Sequence, residues 1–460
     1  EACWTVMRAN WPEARSVTVF CGAGNNGGDG FVIARLALEA NWRVRLYQLG
    51  EQARMPADAR QARDAFISAG GTLQPFGTNA PIETEIIVDA LLGTGVDRPV
   101  EGVWRSAIDA INAAAVPVLA VDIPSGLQAD TGAVADVAVH ARQTVTFIGR
   151  KAGMYTGAAA DYCGDISFAD LGVPGEILQQ VPAAATLVRQ PGLGALALPR
   201  VRTSHKGHYG HVLVIGGDHG MTGAARLAGE AALRNGAGRV TIATRPEHAA
   251  LIAAACPELM CLGVTSARQL RALLDSVSVL LIGPGLGRSD WAQSLLAVVL
   301  EASLPRVIDA DALNCLAGQP LPFENQVLTP HPGEAARLLD QTVARIQADR
   351  FAAARAISTQ YGGTTVLKGA GTLIQPAGAT PLVCAAGNPG MASAGSGDVL
   401  AGVIAALIAQ GMDVAAAAVA GVCVHACAGD IAARQGERGL MARDIIANLR
   451  TVLNTTGDAA

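Results

Sequence analysis

Short apolar, largely β-branched runs return along nearly the whole chain, each separated from the next by a stretch of helical spacing. Residues 17–21, 44–49, 85–92, 116–121 and 144–148 read as strands, and residues 31–40, 57–69 and 104–114 as helices between them. A strand with one wet face alternates apolar and polar side chains, whereas a run that is apolar throughout is covered on both faces. The pattern therefore predicts an α/β chain with mostly parallel sheets between layers of helices.

The rhythm falters over residues 171–202, which carry Pro174, Pro182, Pro191 and Pro199 and read as an interdomain connection. It resumes with strands at 211–215, 239–244, 277–282, 306–309, 326–328 and 364–367, then long helices at 391–410, 414–434 and 442–453. A chain of 460 residues exceeds one ordinary core of about 100–200 residues, so two domains are expected, at 1–182 and 183–460. Charged residues at 16%, against about 25% in an average soluble protein, fit two-sided burial and exclude a disordered chain.

Charge and cysteine usage narrow the function classes. With 34 basic against 39 acidic residues and no Lys/Arg run, a nucleic-acid partner is not expected. The longest apolar runs, at 399–409 and 414–424, fall short of the roughly 20 residues that span a bilayer, so no membrane helix is expected. Nine scattered cysteines without a CxxC pair read as reduced thiols in a cytoplasmic protein. The chain opens at Glu1 with no methionine or basic leader, and is expected to lack a natural N-terminal segment.

In the first half, Gly22-Ala23-Gly24-Asn25-Asn26-Gly27-Gly28-Asp29-Gly30 lies between a strand and a helix. Glycines there permit a sharp turn and present amides to an anion. The stretch contains GxGxxG but departs from a dinucleotide fingerprint. No acidic residue closes the second strand, where Gln48 and Leu49 stand with Glu51 beyond. Asn25, Asn26 and Asp29 exceed what a phosphate cradle needs, and their oxygens suit sugar hydroxyls or a cation. Asp89 precedes Leu91-Leu92-Gly93-Thr94-Gly95-Val96-Asp97-Arg98-Pro99, and Asp122 precedes Ile123-Pro124-Ser125-Gly126. Ligands of open α/β sheets bind beyond the carboxyl ends of strands, so three such loops converge on one crevice. Taken singly, each aspartate could instead cap the following helix.

The second half carries His205-Lys206-Gly207-His208, Gly220-Met221-Thr222-Gly223-Ala224, Gly283-Pro284-Gly285-Leu286-Gly287, Thr329-Pro330-His331-Pro332-Gly333-Glu334 and Lys368-Gly369-Ala370-Gly371-Thr372. Gly395-Ser396-Gly397-Asp398 then opens the last helical block. A helix start of this kind offers amides and a positive dipole end to a phosphate, with Asp398 placed to act on a hydroxyl beside it. Asp309 and Asp311 follow a strand and could line a site or cap a helix. His205 and His208 could contact phosphate or stand in a solvated loop. The cysteines, including Cys423 and Cys427, read as core thiols, and the Ala-rich stretch they share as a packing or oligomer surface.

GAGNNGGDG, VDALLGTG and VDIPSG together resemble the epimerase domain of the NAD(P)H-hydrate repair enzymes, without that family's first helix. The resemblance implies a Rossmann-like three-layer domain that interconverts the R and S forms of nicotinamide hydrated at C6. It implies hydrate binding by Asn25, Asn26, Gly27, Gly28 and Asp29 and by Gly93, Thr94, Gly95, Val96, Asp97, Arg98 and Pro99. It also implies a potassium ion on Asn26, Asp89 and Ser125, with Asp122 as the acid and base.

HKG, GMTGAA, GPGLG, TPHPGE and NPGMASAGSGD resemble the ADP-dependent (S)-NAD(P)H-hydrate dehydratase domain, a ribokinase-like fold. That resemblance implies ADP at Lys368, Gly369, Ala370, Gly371, Thr372 and Gly397. The hydrate would lie at Ala224, Gly285 and His331, with Asp398 as base and magnesium bridging the phosphates. The two domains in one chain are similar to the bifunctional bacterial repair enzymes, whose substrates are NADHX and NADPHX, and a homo-oligomer is expected. Two other readings stay open: a small-molecule kinase, since GSGD also starts a helix in vitamin and sugar kinases, and a first domain that binds nucleotide without turnover.

Overall fold

Six consecutive buried residues, Ser16–Cys21, form β1, an interior strand of the first sheet. The chain is described by a computed structural model at residues 1–77, 82–95, 99–134, 136–188 and 200–454. It divides into two units, Glu1–Ala183 and Ala184–Ala460.

In the first unit, helix α1 (Ala2–Asn10) precedes β1 and buries Cys3 and Met7. Then come α2 (Asn25–Glu39), β2 (Arg43–Gln48), α3 (Ala57–Ser68), β3 (Leu73–Pro75) and β4 (Ile86–Ala90). They are followed by α4 (Gly102–Ala113), β5 (Val118–Val121), β6 (Gln143–Phe147), β7 (Asp165–Ala169) and α5 (Gly175–Gln179). The sheet order is β3-β2-β1-β4-β5-β6-β7, with every neighbouring pair parallel. Val17, Val19 and Cys21 enter an apolar cluster with α1 and α2, while Phe20 and Ile87 enter another with Ile108 and Ile111 of α4. Both faces are therefore covered, which is why the strands carry no polar alternation. The chain runs outward from β1 and returns to β4, leaving a topological switch between them.

The second unit begins with β8 (Thr186–Leu187), β9 (His211–Ile215), α6 (Thr222–Arg234), β10 (Arg239–Thr244), α7 (Pro246–Ala255) and β11 (Met260–Gly263). Next are α8 (Ala267–Arg271), β12 (Val279–Ile282), α9 (Asp290–Glu301), β13 (Arg306–Ile308), α10 (Ala310–Leu316) and β14 (Gln326–Leu328). Helices α11 (Pro332–Leu338), α12 (Val343–Ala348) and α13 (Arg350–Tyr361) lead to β15 (Thr364–Leu367), β16 (Thr372–Pro376) and β17 (Leu382–Cys384). Three helices close the chain: α14 (Ser396–Ala409), α15 (Val414–Ala433) and α16 (Ala442–Asn454). Strands β9 to β15 are parallel in the order β11-β10-β9-β12-β13-β14-β15, and β16 and β17 extend the sheet antiparallel, with β8 at its edge.

Several expectations change. Residues 171–202 are more than a connection: they contain α5 and β8, the latter paired with β17 because its backbone completes a sheet edge. Strands β16 and β17 form a hairpin that no alternating pattern announced. The predicted helix at 391–410 begins at Ser396, and the one at 31–40 begins at Asn25. Helix α15 is 20 residues long and apolar enough to cross a membrane, longer than the run read from the sequence, but most of it is buried in the core against α14 and α16.

Candidate active sites

The crevice of the first unit lies at the carboxyl ends of β1, β4 and β5. Gly22 allows the loop to descend onto β4: a Cβ there would stand 1.9 Å from the Leu91 carbonyl oxygen. Helix α2 starts directly after this turn, so Asn25 to Asp29 occupy its first turns and not a free loop. A cavity of 470 Å³ opens above, lined by Asn25, Asn26, Asp29, Gly93, Thr94, Gly95, Asp122 and Phe147 among others. Gly27 and Gly28 are buried beneath it, against the Gly22 carbonyl and Ala59 of α3. Pro99 lines a neighbouring cavity, and Val96, Asp97 and Arg98 lie outside the described residues.

Asp122 sits on left-handed backbone, φ 66°, a conformation that costs a non-glycine residue energy and recurs at functional sites. Its carboxylate pairs with the Lys151 ammonium and accepts from Thr146 Oγ1 and the Phe147 amide, both at 3.1 Å. Lys151 also donates to the Phe147 carbonyl at 3.0 Å. Lys151 was not singled out from the sequence. Its only signal there was a lone lysine 29 residues past Asp122.

Below the cavity, Asp89 is fully buried, and burial pushes its carboxyl up to about 6 against hydrogen bonds from Ser125 and Leu91. Ser125 Oγ donates to Asp89 at 2.6 Å, and its amide donates at 2.8 Å. Asn26 Nδ2 donates to the Leu92 carbonyl at 3.0 Å, while its buried Oδ1 has no hydrogen-bond partner among the described residues. A buried carboxylate held by neutral donors and an orphaned amide oxygen form an oxygen donor set that fits a monovalent or divalent cation.

In the second unit, the loops after β9 and β12 interlock at the corresponding switch. The Gly217 amide donates to the Pro284 carbonyl at 3.0 Å, and the Asp218 amide donates to the Gly285 carbonyl at 2.6 Å. Gly285 thereby comes against Ala224, whose Cβ lies 3.1 Å from where a Cβ at Gly285 would stand. Behind the loops, Asp218 accepts from Arg245 at 2.7 Å and from Ser289 at 3.0 Å, which rigidifies the turn.

Lys368 extends from the end of β15 to Asp309 at 2.8 Å, with Glu334 at 3.8 Å. Asp309 is buried and also accepts from Thr329 Oγ1 at 2.8 Å. It stands at the helix-capping position of α10 but makes no cap, so of the two roles left open the structure places it in the charged cluster. Asp311 accepts from the Gly287 amide at 2.9 Å. His331 begins α11 in a reciprocal cap, its Nδ1 accepting from Gly333 and Glu334 accepting from its amide. Burial, and then the nearby Lys368 and Arg337, lower the His331 imidazole below its usual value.

Gly395, at φ 89°, turns the chain into α14, and the start of that helix faces Lys368. Burial raises Asp398 to about 7, reinforced by Asp309, Asp311 and Glu334 and opposed by Lys368. Burial pulls Lys368 down, but Asp309, Glu334 and Asp398 outweigh it and hold the ammonium above its ordinary range. Thr372 begins β16, and Gly369, Ala370 and Gly371 form the turn between β15 and β16. The buried Arg350 holds its start by donating to the Leu367 and Lys368 carbonyls. Ser396 Oγ lies 3.3 Å from Nε2 of the buried His425 on α15. Glu334 and His425 were not singled out from the sequence. His205 and His208 stack on each other and cap a short turn at the surface.

A family model described as NAD(P)H-hydrate dehydratase matches residues 212–451, and one described as YjeF-related protein N-terminus matches residues 1–153. The bifunctional NAD(P)H-hydrate repair enzyme of Coxiella burnetii is 48% identical over 99% of this chain and 93% of its own. Its counterpart from Escherichia coli is 43% identical over 99% and 88%. The ADP/ATP-dependent NAD(P)H-hydrate dehydratase of Bacillus subtilis, co-crystallised with ATP and Mg2+, is 30% identical. It covers 56% of this chain and 94% of that one at a TM-score of 0.53. A ribokinase-like protein from Enterococcus faecalis superposes with a TM-score of 0.55 at 29% identity, covering 59% and 96%.

Proposed function

Because the chain belongs to the bifunctional NAD(P)H-hydrate repair enzymes, with an epimerase unit followed by a dehydratase unit, we propose the following chemistry for its two sites. In the first, the nitrogen of the hydrated ring expels the C6 hydroxyl, and water re-adds from either face. Asp122 gives a proton to the departing hydroxyl and takes one from the incoming water. Lys151, Thr146 and the Phe147 amide fix the direction of its carboxyl group. Asn25, Asp29, Gly93, Thr94 and Gly95 hold the hydrate. Asn26, Asp89 and Ser125 would hold potassium, which supplies a fixed positive charge when bound.

In the second unit, the C6 hydroxyl of the S hydrate attacks the terminal phosphorus of ADP, the phosphoanhydride bond breaks and AMP leaves. Asp398 accepts the hydroxyl proton. Phosphate then departs with the push of the ring nitrogen, and loss of a C5 proton restores the dihydronicotinamide. Lys368 and the amides at Gly397 stabilise the transferring phosphoryl group. Gly369 to Thr372 take the nucleotide, and Ala224, Gly285 and His331 the hydrate. The carboxylates of Asp398 and Glu334 are hard oxygen donors suited to magnesium, which supplies charge neutralisation on the phosphates when bound. NADHX and NADPHX are the substrates, in the cytoplasm, and the protein assembles as a homo-oligomer.

The observation that carries the reading is Asp398, a carboxyl brought near neutrality at a helix start with an ammonium opposite it. Hydrated NADH of mixed epimers is incubated with the protein, ADP and Mg2+, and the return of dihydronicotinamide absorbance is followed. Full recovery is expected. Recovery of only one epimer's share would remove the first activity, and a stable phosphorylated product would favour a kinase instead.

A further inference from the structure

A second cavity, of 340 Å³, adjoins the one that holds Asp122. The two share Ala23, Leu92 and Trp104 in their walls and so form one two-chambered trough. Both are more apolar than polar, and the Trp104 indole lines both; the Asp122 chamber adds Asn25, Asn26, Asp29 and Asp122, and the other adds Gly50, Pro99 and Val100 with Glu51, Arg54 and Glu101. Gly50, at φ 88°, lies close against the ring, for a Cβ there would stand 3.2 Å from it. An aromatic wall among apolar neighbours with a charged rim suits a purine and its ribose better than a hydrated nicotinamide.

The sheet order gives this chamber a defined place. In a parallel sheet that switches direction between β1 and β4, the turn after β1 faces the diphosphate of a dinucleotide, and an acid beyond β2 takes the ribose hydroxyls. Glu51 stands three residues past β2, in the cavity wall, and supplies the acid missing from the strand end itself.

We propose that this chamber binds the adenosine half of the hydrated dinucleotide, with Trp104 against the purine and Glu51 on the ribose hydroxyls. The diphosphate crosses the start of α2 between the chambers. Arg54, 3.1 Å from Glu51, turns to the 2′-phosphate when the NADPH form binds, so one rim serves both substrates. The proposal rests on the epimerase reading of the Asp122 chamber.

The test follows R-to-S interconversion by the full chain, without ADP, for hydrated NADH and for hydrated reduced nicotinamide mononucleotide. The mononucleotide is expected to show a KM about tenfold higher with similar kcat, the size of one base stack. Trp104→Ala is expected to close most of that gap by raising the dinucleotide KM. Glu51→Gln raises the dinucleotide KM several-fold and leaves both constants for the mononucleotide unchanged, which also reports an intact fold. Arg54→Ala raises KM more for hydrated NADPH than for hydrated NADH. Equal KM values in the wild type, or a Trp104→Ala shift common to both substrates, would overturn the proposal and leave the epimerase reading standing. Interconversion of neither hydrate would overturn both.

Discussion

The Lys368 ammonium lies 2.8 Å from the Asp309 carboxylate and 3.2 Å from where a Cβ at Gly397 would stand. One cation thus joins the end of β15, the end of β13 and the start of α14. Removing it leaves a buried carboxylate without its counter-charge, which costs about 3–5 kcal/mol in comparable buried pairs. Lys368→Met is expected to lose at least 100-fold in dehydratase kcat/KM and to unfold at lower temperature, while the epimerase rate of the same chain is unchanged. Calorimetry and the two separate assays read this directly.

Asp398 must be ionised to act as a base, and its carboxyl is raised to about 7. Dehydratase kcat/KM is therefore expected to rise with pH and level off above about 7. Asp398→Asn should flatten that limb and lower the rate by about 10²–10⁴. An unchanged pH profile in the variant would assign the ionisation to another group.

Asp122 holds left-handed backbone, which asparagine tolerates better than alanine. Asp122→Asn is expected to lower epimerisation by about 10²–10⁴ with little loss of stability. Asp122→Ala should add a penalty of about 1–2 kcal/mol from the backbone. Lys151→Met should slow epimerisation, as the carboxylate loses the partner that fixes its direction, and Lys151→Arg should restore part of the rate. Denaturant melts and epimerisation rates separate these effects.

Burial pushes Asp89 up to about 6, so the folded chain binds a proton that the unfolded chain releases nearer 4. Without a cation, this group's contribution to stability is largest below about 4 and declines as pH rises through 6. A potassium ion competes with that proton, so stabilisation of the first unit by KCl over an organic-cation chloride is expected above pH 6 and to fade below it. Asp89→Asn should abolish the difference. Melting curves in matched salts decide it.

The loops after β1, β4, β5, β9 and β12 were legible because glycine, asparagine and aspartate at strand ends carry their meaning locally. Asn26, Asp89 and Ser125 stood out by motif, whereas the burial of Asp89 and the unpartnered amide oxygen of Asn26 among the described residues exist only in the fold. Lys151 was missed because it meets its partner from a stretch with an unremarkable pattern, and Glu334, though inside a quoted motif, because its partner Lys368 comes from the end of β15. Asp309 was undecidable from its neighbours: an aspartate after a strand caps a helix or enters a site according to what arrives opposite. Here Lys368 arrives from 59 residues away. The hairpin β16–β17 was missed because its strands are short and carry no alternating pattern.

The sequence by itself determined the layering, the two units and the strand ends where ligands gather, because burial on both faces and tight turns demand particular residue types over short windows. Tertiary structure alone decided which charges meet, which carboxyls are pushed toward neutrality, and that two chambers share the wall of Trp104. Those outcomes depend on desolvation and on distances between groups far apart in the chain, and neither is carried by any local stretch of residues.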